Sequence, residues 1–99
     1  MIDLAPHHLE TVRSILRQHV PQCEVRAFGS RVHGTTKPYS DLDLAVVGPG
    51  ALGGDILRHL QEAFEDSDLP FRVEVIDWHT TSPEFQTVIE KQYEVIQAS

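Results

Sequence analysis

Cysteine occurs once in the 99 residues, at Cys23, so no disulfide forms within the chain. A reducing, cytoplasmic setting is the expectation. No apolar run approaches the roughly 20 residues needed to cross a bilayer. The first ten residues, MIDLAPHHLE, lack the basic-then-apolar order of a cleaved leader. Basic residues are scarce: 8 against 15 acidic ones, a formal net charge of -7. A domain gripping DNA or RNA relies on Lys and Arg to displace counterions, so extended nucleic acid is not the expected partner. A small phosphate ligand is compatible with this charge when metal ions offset the carboxylates. Repeats and low-complexity tracts are absent. What remains, 40% hydrophobic and 23% charged residues, has the balance of one globular domain over residues 1–99 with one modest core.

Hydrophobic spacing predicts the order helix, strand, strand, helix, strand, helix, strand. Pro6 suits the first turn of a helix, and Leu9, Val12, Ile15, Leu16 and Val20 form its stripe until Pro21 stops it. Glu24 to Phe28 reads as a strand. Residues 29–40 are rich in Gly, Ser, Thr and Pro and read as turn, with a helical turn near Arg31. Leu42, Leu44 and Val46 alternate with Asp41, Asp43 and Ala45 as a second strand. After the loop GPGALGG, Asp55 is a candidate cap for a helix buried through Ile56, Leu57, Leu60, Ala63 and Phe64. Phe71 to Trp78 is a third strand. Thr81 and Glu84 have capping-box spacing ahead of a helix whose apolar face is Phe85, Val88 and Ile89, and Tyr93 to Gln97 is a short final strand. The fold class is α/β (α+β): a single mixed sheet with helices packed on one face.

The informative stretch is GSRVHGTTKPYSDLDL, from Gly29 to Leu44. A Gly-Ser turn follows a strand, and ten residues later a strand carries Asp-x-Asp. Each feature alone is weak; in this order they are far more specific. Residues i and i+2 of a strand share a face, so Asp41 and Asp43 project together, opposite Leu42 and Leu44. Neighbouring carboxylates repel, and a divalent cation relieves the conflict. Mg²⁺ favours a few carboxylates plus substrate phosphate oxygens. The turn at Gly29 and Ser30 offers N–H groups and a hydroxyl to phosphates. Arg31 is placed to add a charge-assisted contact, and Ser40 is a further candidate nucleotide contact. A third carboxylate is expected from RVEVIDW. Strand parity sets Val73 and Val75 toward the helices and Arg72, Glu74 and Ile76 on the open face, which favours Glu74 and leaves Asp77 as the alternative.

Plainer readings stand beside these. Asp41 and Asp43 can be solvent-facing strand residues, Ser30 a turn or cap residue, and Arg31 and Lys37 solvated surface cations. The six histidines show no zinc spacing. Trp78, Tyr93 and Phe85 read as core or partner-contact residues, and Cys23 as a small buried residue with no nucleophilic role.

GSRVHG, PYSDLDLAVV and SDLPFRVEVIDWHTTSPEFQTVIEKQYEVIQ resemble the polymerase-β-like nucleotidyltransferase superfamily, above all its minimal single-domain bacterial members. The similarity spans nearly all of the chain after the first helix. It implies a polymerase-β-like core, two Mg²⁺ ions held by Asp41, Asp43 and the acid at Glu74, and contact of Gly29 and Ser30 with ATP or another NTP. The family more often has Asp at the Glu74 position, although related branches use Glu. It further implies in-line transfer of a nucleoside monophosphate, AMP above all, to a hydroxyl of a protein or small molecule, with release of pyrophosphate. Minimal members are made with a helical partner of HEPN type, and some adenylylate it as antitoxins. So small a chain has little left to enclose base and acceptor, which predicts association with such a partner or with itself. The alternative is a weakly catalytic or non-catalytic nucleotide-binding antitoxin subunit that neutralises a HEPN-type partner by contact. A drug-modifying aminoglycoside-type enzyme is a third reading, for which the chain is short.

Overall fold

The computed structural model describes residues 2–34 and 40–98. The elements run α1 (Pro6–His19), β1 (Glu24–Phe28), α2 (Ser30–His33), β2 (Leu42–Val47), α3 (Gly54–Glu65), β3 (Val73–Asp77), a 3₁₀ turn (Trp78–Thr80), α4 (Pro83–Lys91) and β4 (Glu94–Gln97). The sheet has the order β3-β2-β1-β4. β1 is antiparallel to both β2 and β4, and β2 is parallel to β3. The parallel pair needs a crossover, and α3 supplies it.

Alternation decides which face is covered. Val25 and Ala27 of β1, Leu42, Leu44 and Val46 of β2, and Val73 and Val75 of β3 form one core with Val12 and Leu16 of α1 and Leu60 and Phe64 of α3. Ala45 and Ile89 are buried outside that cluster. On the second face α4 stands by β1, with Phe85 edge-on to Phe28 at 5.8 Å between ring centres. Also on that face, the Arg26 guanidinium lies between the rings of Trp78 (4.8 Å) and Tyr93 (4.7 Å) and pairs with Glu24. Two aromatic faces and a carboxylate thus hold the 3₁₀ turn and the entry to β4 against the sheet.

The outer edge of β3 is closed by a side chain. Gln61 of α3 donates to the Val73 carbonyl (2.6 Å) and accepts from the Val75 N–H (3.1 Å), so its amide stands where another strand would pair.

Several expected details shift. Ile56 is 40% exposed, because Leu57, Leu60 and Phe64 set the stripe and Ile56 falls on its margin. α3 begins at Gly54 after an N-cap at Gly53, with Asp55 inside the first turn and making no cap bond. The cap of α4 is Ser82, whose hydroxyl accepts from Phe85 N–H, whereas Thr81 donates to the Asp77 carbonyl at 2.7 Å. Pro83 at the first helical position sets that register. Trp78 leaves β3 for the 3₁₀ turn, because the Asp77 carboxylate accepts from His79 N–H at 3.0 Å. Among the described residues no helix is long and apolar enough to cross a membrane.

Candidate active site

β1 ends at Phe28, and Gly29 turns the chain into α2 with φ 83° and ψ -159°. Its carbonyl accepts from the N–H groups of Val32 and His33, both at 3.0 Å. Glycine is required here for a second reason. A Cβ at this position would lie 2.3 Å from Oδ2 of Asp43. The missing side chain is the space in which the Asp43 carboxylate sits.

The register aligns the chemistry. Phe28 of β1 stands opposite Asp43 of β2, and Asp43 opposite Glu74 of β3. Opposed residues on neighbouring strands share a face, so the three form one row across the sheet, with Asp43 in the middle. Asp41 precedes β2 by one residue and is exposed. Burial first, then the charges of Asp41 and Glu74, push the Asp43 carboxyl above its ordinary value. Glu74 is exposed and pairs with Arg72 at 3.0 Å.

Asp77 takes the other parity. It is 4% exposed and accepts from Leu52 N–H (2.8 Å) and His79 N–H (3.0 Å). It ties the 48–53 loop to the end of β3 and stands away from the carboxylate row.

Arg31 lies inside the fold at 6% exposure, which corrects the expectation of a solvated cation. Its Nε donates to the Ser40 carbonyl and its Nη1 to the Asp3 carbonyl, both at 2.9 Å, and its guanidinium lies 4.3 Å from the Phe71 ring centre. In this arrangement Arg31 braces the entrance to β2. Ser30 opens α2 beside Gly29. Lys37 lies outside the described residues. Cys23 is fully buried, and burial raises its thiol pKa, as expected of an inert residue.

A pocket of about 250 Å³ opens beside the row. Gly29, His33 and Asp43 line it together with Phe28, Phe85, Val88, Ile89 and Gln92. A larger hollow of about 410 Å³ lies between α3 and Val75, where Gln61 closes the sheet edge; of the two, the smaller one is lined by Asp43 of the carboxylate row. Sequence reasoning did not single out His33 and Gln92, although both lie within the segments that carry the resemblance. It set Phe85 on the right face of its helix without placing it against the site.

Among the described residues no three His, Cys, Asp or Glu side chains are gathered closely enough to hold a metal ion as they stand. The donor set nevertheless fits a hard divalent cation. It is all carboxylate oxygen, one member sits in a cradle that a Cβ would fill, and mutual repulsion already disfavours that member's charged form.

Residues 9–98 match the sequence model of the nucleotidyltransferase domain family, and the chain belongs to that family. It is a nucleotidyltransferase of minimal type, and its substrate is a nucleotide. Among curated proteins it is similar to the probable protein adenylyltransferase MntA of Haemophilus influenzae, 49% identical over 96 residues, covering 97% of this chain and 84% of that one. Two solved structures share the fold. A toxin–antitoxin with AMP-PNP has a TM-score of 0.77 at 23% identity, over 92% of this chain and 73% of its own. A tri-AMPylated Shewanella oneidensis HEPN toxin in complex with MNT antitoxin has 0.70 at 20% identity, over 94% and 71%.

Proposed function

We propose that residues 1–99 form a single cytoplasmic, Mg²⁺-dependent adenylyltransferase domain that moves AMP from ATP to a hydroxyl of a protein, working with a helical partner of HEPN type. The observation that carries this reading is the row Phe28–Asp43–Glu74, with Asp43 seated against Gly29. The protein acceptor and the partner are supported by the 49% identical relative, itself a probable protein adenylyltransferase, and by the toxin–antitoxin assemblies that share the fold.

Asp41, Asp43 and Glu74 would hold the metal ions. Bound there, Mg²⁺ neutralises triphosphate charge and lowers the pKa of an oxygen beside it. Gly29 and Ser30 meet the triphosphate with backbone N–H groups, and Ser40 contacts it at the entrance to β2. Arg31 fixes that entrance through the Ser40 carbonyl and adds positive potential below it. The acceptor oxygen bonds to the α-phosphorus as the bond to the bridging oxygen of the β-phosphate breaks. Pyrophosphate leaves, and Asp43 or Glu74 takes the hydroxyl proton. Most of the acceleration comes from positioning.

The test is transfer of label from α-phosphate-labelled ATP to the co-expressed partner, with Asp41→Asn/Asp43→Asn as control. Label on the partner with wild type only is the expected result. Equal neutralisation of the partner by both proteins, with no label in either, would sink the enzymatic reading in favour of neutralisation by contact.

A further inference from the structure

Among the described residues, Arg72 pairs with a member of the carboxylate row. Residues 72 and 74 lie on one face by the two-residue period of a strand, and Arg72 Nη2 stands 3.0 Å from Glu74 Oε2. The Arg72 carbonyl accepts from Leu42 N–H at 2.9 Å, which pins its backbone beside the start of β2, where Asp41 and Asp43 emerge. Arg26 on the same face is held by Trp78, Tyr93 and Glu24 and does not serve the row.

We propose that Arg72 is a positioning residue, the resident counter-ion of Glu74, from which a divalent cation must take that carboxylate. The inference rests on the reading of Glu74 as a metal-holding carboxylate. Two observations point to exchange. The carboxylates share a face without closing on one point, and Glu74 is turned to Arg72. The pair is also easily exchanged: its side chains are 67% and 47% exposed, and water screens such pairs strongly. Arg72 thus keeps Glu74 ordered before metal and nucleotide arrive, and competes with the metal for it.

The experiment is Mn²⁺ titration followed by electron paramagnetic resonance, with a non-hydrolysable ATP analogue, on wild type, Arg72→Gln and Arg72→Lys. Arg72→Gln should lower the half-saturating Mn²⁺ concentration about threefold, the scale of an exposed ion pair, and Arg72→Lys should stay near wild type. In a Glu74→Gln background, Arg72→Gln should change nothing. Unchanged or weaker Mn²⁺ binding by a folded Arg72→Gln overturns the proposal, and so does an equal gain in the Glu74→Gln background, which would show only general loss of positive charge. A wild type that takes up no Mn²⁺ overturns the metal reading together with this one; equal affinities overturn this one alone.

Discussion

Replacing Gly29 by alanine tests the seat of Asp43. The added Cβ would lie 2.3 Å from Asp43 Oδ2, where such contacts do not come under 3.0 Å, so one of the two must move. The carboxylate is the mobile partner; relieving the clash displaces it by roughly 1 Å, and a misplacement of that size lowers an enzyme's rate by about 10²-fold. The backbone adds its own cost, because φ 83° with ψ -159° is a region kept almost wholly for glycine and costs other residues about 1–3 kcal/mol. In a domain of this size each kcal/mol moves Tm by about 4–8 °C, so Gly29→Ala should melt at least about 4 °C lower. Transfer should be assayed below the variant's melting range, with Gly50→Ala as control, since nothing lies within 4 Å of a Cβ at Gly50. A Gly29→Ala protein with wild-type Tm and wild-type transfer would refute the argument that this glycine makes room for a working carboxylate.

Asp43 also predicts a pH dependence in metal-free protein. Its pKa is raised in the fold, so the stabilisation from protonating it is fully present below the unfolded value and is lost as pH rises through the folded value. Asp43→Asn should therefore melt higher than wild type at neutral pH, and the gap should close in acid; an equal gap at both ends, measured by melts in chelator, contradicts the burial and repulsion invoked here. Glu74→Gln and Asp77→Asn should part in the opposite sense. The first should abolish transfer with little change in Tm, because Glu74 is exposed. The second weakens the acceptor of two N–H groups and should lose about 1–3 kcal/mol with transfer retained below the melt. Reversed phenotypes would make Asp77 the third carboxylate.

Much of this arrangement was readable in the one-dimensional pattern. Val73-Glu74-Val75 alternation set Glu74 on the face of Asp43, and β1 and β2 followed from equally local alternation. Short-range signals failed where two equivalent residues competed. Thr81 and Ser82 both suit a cap, and the choice fell to Ser82 once Thr81 bonded to the Asp77 carbonyl. Ile56 belonged to the apolar stripe by spacing, but exposure depends on where the stripe's centre meets the sheet. Arg31 reads as a phosphate ligand or a surface cation; it is buried, and nothing local says that Asp3, Ser40 and Phe71 surround it.

By itself the sequence determined most of the elements and the covered faces of β2 and β3, because side-chain period and turn chemistry act over a few residues. Tertiary structure decided what depends on pairing between distant segments. The register put Phe28, Asp43 and Glu74 in one row, and the approach of β1 to β2 put Asp43 against Gly29. α4 brought Phe85 to the pocket. Those contacts join residues far apart along the chain, and only strand pairing and core packing specify the distances between them.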